Sequence, residues 1–285
     1  MSRVERLQNK FDQLKIDAFL VSDGANLQYL TGMADMAGDG YLLVLAQEAY
    51  LITDARYQTA FAGHYDDQHL VITRDYLGAV CDIIAKTGTG VMGFEAEIPY
   101  TAYSYLDENL VSDLVALPDV VDELRITKSV DEIDRLRASA RLADAGFEYV
   151  TSIVRPGMRE IDVSNLLDAF MRTHGASGPS FTTIVLGGAR AALPHGTASK
   201  ALLTAGQLVT LDFGYFLDGY TSDMTRTFAL GTPDDKLVTA YQAVQAAQQA
   251  VIDQVQAGAA TAQLDAVGRD LLTKAGCGDA FNHGM

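Results

Sequence analysis

Residues 207–230 read QLVTLDFGYFLDGYTSDMTRTFAL, and this stretch decides the fold of the second half of the chain. Two strand-like runs, 207–216 and 220–230, flank the dipeptide Asp218-Gly219, which is typical of a two-residue hairpin turn. The stretch therefore predicts an antiparallel hairpin whose register follows from the position of its turn.

The register decides which side chains share a face of the hairpin. Asp212 is expected to lie opposite Thr225, and Gly214 opposite Asp223. Because side chains alternate with period two, these four residues occupy one face. The other face carries Leu211, Phe213 and Met224. Asp212 and Asp223 thereby become diagonal neighbours, about 7–8 Å apart at the backbone.

Two carboxylates held this close repel one another unless a cation or a shared proton lies between them. The pair therefore predicts either a divalent-metal site or a proton-sharing dyad. An aspartate inside a strand is unfavourable on propensity alone, which favours the metal site. Hard oxygen ligands suit Mn, Mg or Co, and an added imidazole would also admit Zn or Fe(II). In the alternative reading, Asp212 makes a turn interaction and Asp223 is solvated at a strand end.

His195 stands in the segment Leu193-Pro194-His195-Gly196, after an apolar strand-like run and two glycines. Glycine and proline on a loop at a strand end are typical of a site where backbone approaches a ligand closely. His195 is therefore a candidate for catalysis. The alternative is an ordinary surface histidine, which is the more frequent role of a lone histidine.

Residues 1–125 alternate between strand-like and helical patterns, which predicts an α/β domain on a mixed or parallel sheet. The predicted strands are 18–21, 41–45, 49–52, 70–73, 91–94 and 114–117, and the predicted helices are 4–16, 55–62, 78–86 and 100–110. A second domain, 126–285, is expected to open with a long helix to residue 154, since Ser129 and Glu132 have the spacing of a capping box.

A helix pair recurs within the second domain at an offset of 101 residues, with Gly157 and Gly175 corresponding to Gly258 and Gly276. The first copy continues into the strand-rich segment 181–231, whereas nothing follows the second copy. If the repeat is real, half of a sheet is absent and strand edges stay unpaired. Chance alignment of two amphipathic helices is the alternative.

Composition excludes several classes of protein. The 285 residues are 48% hydrophobic, which excludes a disordered chain, and 37 Asp and Glu against 21 Lys and Arg give a formal net charge of -16. That charge repels nucleic acid and anionic lipid. The two cysteines are far apart, and neither a signal peptide nor a spanning helix is recognisable, so a cytoplasmic protein with no membrane partner is expected.

These motifs together resemble the creatinase/prolidase family of metallopeptidases, whose pita-bread fold methionine aminopeptidases share. The resemblance rests on Leu211-Asp212-Phe213-Gly214, 222–228 (SDMTRTF), Pro194-His195-Gly196, Lys128-Ser129 with Glu132-Ile133, and Phe281-Asn282-His283-Gly284. In the first domain, 26–32 (NLQYLTG) and Asp54-Ala55-Arg56-Tyr57 look like the leading domain of Xaa-Pro aminopeptidases and dipeptidases.

The resemblance implies an α/β (α+β) fold class, with an N-terminal creatinase-like α/β domain followed by an incomplete pita-bread catalytic domain. It implies that Asp212 and Asp223 bind two divalent metal ions, with Mn favoured over Co or Zn. His195 would contact substrate and intermediate, and His283 would lie near the substrate without binding metal. The implied reaction is hydrolysis of the bond before proline by a hydroxide that bridges the metals, in a homodimer.

Within the family, the motif at Asp54-Ala55-Arg56-Tyr57 favours an Xaa-Pro aminopeptidase over a dipeptidase that accepts only Xaa-Pro dipeptides. The chain departs from the family pattern in one respect, because a histidine and two glutamate ligands would follow the 281–284 stretch. We therefore expect a C-terminally truncated chain that is inactive by itself. The alternatives are a non-catalytic binding member of the same fold and a metal-free creatinase-like amidinohydrolase, which the presence of both aspartates disfavours.

Overall fold

A computed structural model of the chain describes residues 1–33, 36, 38–61, 63 and 69–283. Contacts divide the chain into two compact units, Met1–Asp131 and Glu132–Met285. The helices are α1 (Arg3–Gln8), α2 (Phe11–Leu14), α3 (Gly24–Thr31), α4 (Gln58–Phe61), α5 (Tyr76–Thr87), α6 (Tyr100–Asn109), α7 (Val120–Ile126), α8 (Val130–Ile153), α9 (Glu160–Thr173), α10 (Asp235–Ile252) and α11 (Thr261–Lys274). The strands are β1 (Ala18–Val21), β2 (Gly40–Leu45), β3 (Ala49–Thr53), β4 (Leu70–Ile72), β5 (Val91–Glu95), β6 (Asp113–Leu117), β7 (Gly178–Pro179), β8 (Ile184–Gly187), β9 (Gln207–Phe213), β10 (Tyr215–Leu217), β11 (Tyr220–Thr221) and β12 (Met224–Leu230).

The first unit is built on a mixed sheet with the strand order β4-β3-β2-β1-β5-β6. The β2–β3 hairpin is antiparallel, as is the pairing of β1 with β2, while β1–β5, β5–β6 and β3–β4 are parallel. All six predicted strands are present, and the predicted mixed α/β domain is confirmed.

The central strand β1 is buried on both faces because helices cover both sides of the sheet. Phe19 and Val21 pack with residues of α1, α3 and α7, whereas Ala18 and Leu20 pack with residues of α5 and α6. A strand covered on both faces has apolar residues at every position, which explains the uninterrupted Ala-Phe-Leu-Val run.

Four helical segments of the first unit differ from the sequence-based expectation. The predicted helix 4–16 is broken at Asn9–Lys10 into α1 and α2, and Lys15 ends the second piece in a left-handed conformation. Asparagine is a poor helix former, which is consistent with a break there. The predicted helix 55–62 shortens to α4, and its last residue lies outside the described residues. The helices α3 and α7 were not predicted; α3 buries Leu27 and Tyr29, and α7 buries Val120, Val121 and Leu124.

The second unit packs two helices against one face of a three-stranded antiparallel sheet with the order β12-β9-β8. The long helix α8 begins at Val130 and α9 at Glu160, close to the predicted bounds. One apolar cluster joins these helices to the sheet through Val150, Val163, Leu167, Met171, Val185, Leu211 and Phe213. This core determines which face of the sheet is left for other contacts.

The predicted internal repeat is present in the local structure of α9 and α11. Their bounds, Glu160–Thr173 and Thr261–Lys274, differ by 101 residues throughout. Gly157 and Gly258 precede the two helices with φ of 93° and 86°, and Gly175 and Gly276 follow them with φ of 103° and 76°. Glycine is needed at such positions because L side chains rarely adopt positive φ.

None of the helices in the described residues is long and apolar enough to span a bilayer.

Candidate active site

The hairpin at 207–230 forms with the predicted register. Asp218 and Gly219 take φ of 50° and 79° at its turn, and Leu217 pairs with Tyr220. Asp212 pairs with Thr225. Positive φ at both central residues matches the twist of the flanking strands. The register therefore directs Asp212 away from the α8–α9 core.

Each arm of the hairpin is split, which differs from the two continuous strands expected. One arm breaks at Gly214 into β9 and β10, and the other breaks after Thr221 into β11 and β12. β10 and β11 join β7 in a separate three-stranded sheet. The backbones approach so closely at the break that a Cβ on Gly214 would collide with the carbonyl oxygen of Ser222. Because Gly214 has no side chain, the two backbones can approach this closely just before Asp223.

Ser180 and Ser222 stabilise this close approach of the two backbones. The Ser180 amide donates to the Gly214 carbonyl at 2.9 Å, and the Ser180 hydroxyl donates to the Ser222 carbonyl at 3.2 Å. The Ser222 hydroxyl accepts from the Tyr215 amide at 3.2 Å. These bonds satisfy backbone groups that the split strands leave without ladder partners.

Asp212 and Asp223 line one cavity together with His195. The cavity has a volume of about 500 Å³, and its lining also includes Phe181, Thr182, Ile184, Gly196 and Thr197. Asp212 is half-buried, while Asp223 and His195 are exposed. The structure thus brings together three of the four site residues expected from the sequence, from segments up to 28 positions apart.

Few protein groups compensate the negative charges of Asp212 and Asp223. The Thr225 hydroxyl donates to Asp212 Oδ1 at 2.8 Å. Among the described residues, neither Asp212 nor Asp223 forms an ion pair with a lysine, arginine or histidine. Two carboxylates that line one cavity without a lysine or arginine partner suit a hard divalent cation, because such ions prefer oxygen ligands. The described residues do not, however, group a third His, Cys, Asp or Glu with them for metal binding.

His283 lies apart from this lining. Its side chain is exposed, and its backbone carbonyl accepts from Arg269 at 3.3 Å. Arg269 also donates to the Phe281 carbonyl at 3.1 Å, with its guanidinium over the Phe281 ring. These contacts hold 281–283 against α11. His283 as a substrate-binding residue stays a prediction.

Two polar residues near the site were missed in the sequence. Glu160, the first residue of α9, is 1% exposed and accepts hydrogen bonds from the segment that carries His195. Arg190 of that segment is its ion-pair partner at 3.0 Å. Glu160 and Arg190 are 30 positions apart, which is beyond the reach of local sequence rules, and only the glutamate's place at the start of a helix was a usable signal.

Comparison with known proteins identifies both units of the chain. Residues 134–285 match metallopeptidase family M24, and residues 3–127 match the creatinase/prolidase N-terminal domain. The chain belongs to metallopeptidase family M24. The recognition from sequence motifs is thereby confirmed, as is the fold class of a creatinase-like α/β domain followed by the M24 domain.

Individual M24 relatives match almost the whole chain. The uncharacterized peptidase YqhT of Bacillus subtilis is 36% identical over 99% of this chain and 80% of its own length. The Xaa-Pro dipeptidase from Bacillus anthracis is 37% identical, with a TM-score of 0.93 over 99% of this chain and 79% of its own. The X-Pro aminopeptidase from Thermotoga maritima is 28% identical, with a TM-score of 0.87 over 98% of this chain and 79% of its own. These relatives are hydrolases, and the M24 family implies divalent metal ions.

Proposed function

We propose that this protein hydrolyses the peptide bond before a proline residue. The observation that carries the proposal is the shared cavity of Asp212, Asp223 and His195 in a chain of the M24 family. Similarity to an Xaa-Pro dipeptidase and to an X-Pro aminopeptidase supports proline-containing peptides as the substrate class.

Asp212 and Asp223 would hold two divalent cations on the outward face of the hairpin. Carboxylate oxygens favour hard cations, so Mn is the first candidate, with Co and Zn as alternatives. When bound, such ions polarise a carbonyl and lower the pKa of water toward neutrality. The aspartates supply negative charge and geometry, and Thr225 orients one of the Asp212 oxygens.

His195 is the residue that would contact the substrate. Its imidazole is exposed on the lining of the cavity, next to Gly196 and Thr197. A neutral imidazole can donate a hydrogen bond to the scissile carbonyl oxygen as negative charge develops there. Asp212 and Asp223 cannot take this role, because ionised carboxylates have no proton to donate.

Substrate length is the finer question within this function. The motif Asp54-Ala55-Arg56-Tyr57 favoured an aminopeptidase over a dipeptidase. The matches to an Xaa-Pro dipeptidase and to an X-Pro aminopeptidase both cover the leading domain that carries this motif, so the aminopeptidase type stays a proposal. We retain Xaa-Pro hydrolysis as the proposal and let the substrate series decide.

The test is a comparison of Gly-Pro, Gly-Ala and Gly-Pro-Ala as substrates for the full-length gene product, with added Mn²⁺ and after chelation. We expect cleavage of Gly-Pro but not Gly-Ala, with loss of activity on chelation. Cleavage of Gly-Pro-Ala at the Gly-Pro bond would identify an aminopeptidase, and its exclusion a dipeptidase. Stoichiometric Mn²⁺ binding without turnover of any peptide would instead support the non-catalytic alternative.

Replacing His195 with alanine should lower kcat for Gly-Pro by about 10²–10³-fold, because the transition state loses a hydrogen-bond donor. Mn²⁺ affinity should stay the same, since the aspartates are unchanged. The matched control is His174→Ala, which removes an exposed histidine that stacks on Phe170 at the end of α9. Equal kcat in the His195 variant and the wild type would remove His195 from the catalytic residues.

Replacing Thr225 with valine should weaken Mn²⁺ binding by about 10–100-fold, the usual cost of losing a partner that orients a metal ligand. Valine preserves the branched shape and removes the hydroxyl that donates to Asp212. Thr227→Val is the control. Thr227 lies on the same strand as Thr225, but its hydroxyl forms a hydrogen bond with the Thr210 hydroxyl at 3.0 Å and not with either aspartate. Isothermal titration with Mn²⁺ measures both, and equal losses would contradict a specific role for Thr225.

The 285-residue chain by itself is proposed to bind metal weakly and to be inactive, since two aspartates leave most of each cation's coordination to water. Titration of this chain with Mn²⁺ and a Gly-Pro assay of the same sample test both expectations. A homodimer is also proposed, from the family resemblance alone, and light scattering of the same samples measures it.

A further inference from the structure

The segment that carries His195 has little regular structure of its own. It follows β8, makes the short 3-10 turn Gly188–Ala192, and is mostly exposed from Leu193 to Thr197. An exposed imidazole on such a segment acts at a defined point only if its backbone is held in place. Several of the hydrogen bonds that hold it converge on one side chain.

That residue is Glu160, whose side chain is 1% exposed. Its Oε1 accepts from the Gly187 amide at 3.1 Å, where the segment begins. Its Oε2 accepts from the Ser199 amide at 3.0 Å and from the Ser199 hydroxyl at 2.8 Å, where the segment ends. A single buried carboxylate thus binds both ends of the stretch that contains His195.

Arg190 links the Glu160 carboxylate, which we call the anchor, to the middle of the segment. Its Nε lies 3.0 Å from Glu160 Oε1 and 3.1 Å from Oε2. Its terminal NH2 donates to the Thr197 carbonyl at 2.8 Å, two residues after His195. The guanidinium therefore connects the buried charge to the backbone beside the imidazole.

The anchor is charged. Burial alone would raise the pKa of Glu160, but the hydrogen bonds from Ser199, Gly187 and Arg190 outweigh it and hold the pKa below its ordinary value. Hydrogen bonds to an ionised group are about twice as strong as neutral ones, so the anchor resists local opening.

The same helix ties the anchor to the strand that carries Asp212. Glu160 begins α9, and Val163 and Leu167 of α9 are fully buried in the cluster that contains Leu211 and Phe213. Asp212 stands between those two residues. Packed residues therefore connect the strand of Asp212, through the core and α9, with Glu160 and the His195 segment.

We propose that Glu160 is a positioning residue that, through Arg190 and the backbone from Gly187 to Ser199, holds His195 at the cavity of Asp212 and Asp223. This role rests on the proposed peptidase function, because it acts through His195. A buried carboxylate used in this way costs desolvation energy that an apolar residue would not, which is expected where geometry matters more than stability.

The test is Glu160→Gln, alone and combined with His195→Ala, in the full-length gene product. Glutamine keeps the size of the side chain but places an NH2 group where an oxygen accepted hydrogen bonds. We expect kcat/KM for Gly-Pro to fall about 10²-fold, as for a displaced catalytic group. In the His195→Ala background the same change should cost less than about twofold, because a residue that acts through His195 has nothing left to position. Equal losses in both backgrounds would overturn the proposal.

Two further variants separate positioning from folding. Asp162→Asn is the matched control, since Asp162 lies in the same first turn of α9 and forms an exposed ion pair with Arg159 at 2.6 Å. It should leave kcat/KM unchanged. If Glu160→Gln does not fold, Arg190→Gln breaks the same connection from a side chain that is 38% exposed, and should show the same dependence on His195.

A readout without turnover distinguishes this proposal from the proposed function. Amide hydrogen exchange at Leu193 and Gly196, whose amides donate to the Arg190 and Leu193 carbonyls, should accelerate at least about tenfold in Glu160→Gln and stay unchanged in Asp162→Asn. Unchanged exchange in both variants would overturn the positioning role. A wild-type protein that cleaves no Xaa-Pro peptide, with exchange still accelerated in Glu160→Gln, would overturn the peptidase function and retain Glu160 as the anchor of this segment.

Discussion

Asp212→Asn and Asp223→Asn should each lower kcat/KM for Gly-Pro by at least about 10³-fold in the full-length gene product. The change removes one negative charge and one ligand oxygen from the cavity while keeping the size of the side chain. Loss of a ligand should exceed the 10–100-fold cost of losing a group that only orients a ligand. Initial rates of Gly-Pro hydrolysis, measured at several Mn²⁺ concentrations, separate weaker metal binding from slower turnover.

The matched control is Asp218→Asn in the same hairpin. Asp218 lies at the turn with φ of 50°, a conformation that asparagine also tolerates, and it does not line the cavity. Its replacement removes the same charge from the same hairpin and should leave kcat/KM unchanged. If all three variants lost activity equally, general charge on the hairpin would explain the effect, and the assignment of the two aspartates would be wrong.

Gly214→Ala should destabilise the second unit by about 3 kcal/mol, because overpacking against groups that cannot move is costly. The added Cβ would meet the backbone carbonyl of Ser222 and would also lie 2.5 Å from Ser180 Oγ. The Ser180 hydroxyl can rotate away. The Ser222 carbonyl cannot, because it belongs to the backbone that immediately precedes Asp223. We therefore also expect kcat/KM to fall about 10²-fold at temperatures where the variant is folded. Urea denaturation and Gly-Pro hydrolysis measure the two effects.

Gly178→Ala is the control for this change. Gly178 lies in the neighbouring strand β7, and a Cβ there would make only ordinary contacts with the Arg172 guanidinium, at 3.6 and 3.9 Å. Stability should change by less than about 1 kcal/mol, as at most positions without a special constraint. Equal stability of the Gly214 variant and the wild type would show that the Ser222 backbone can yield.

The hairpin register is the part of the candidate site that sequence predicted in full. A two-residue turn at Asp218-Gly219 and the alternation of side chains are local rules, and they were sufficient to pair Asp212 with Thr225. They did not predict the split of each arm. That split depends on β7 and Ser180, which approach Gly214 from a part of the chain that no short window includes.

The internal repeat was also predictable from sequence, because glycines that end or precede helices in a left-handed conformation recur at an offset of 101 residues. The four glycines mark the same helix ends in both copies. By contrast, α7 is too short for its periodicity to be distinctive. The break between α1 and α2 depends on a single turn at Asn9–Lys10, which helical spacing of the apolar residues does not reveal.

What the sequence determined by itself is local: most strands and most helices, the hairpin register, the pair of aspartates and, through motifs, membership of a metallopeptidase family. Tertiary structure alone decided that the carboxylate of Glu160 binds both ends of the segment that carries His195. The physical reason is that turns and periodicity act between neighbours, whereas a buried carboxylate is satisfied by whichever distant donors the packed core brings to it.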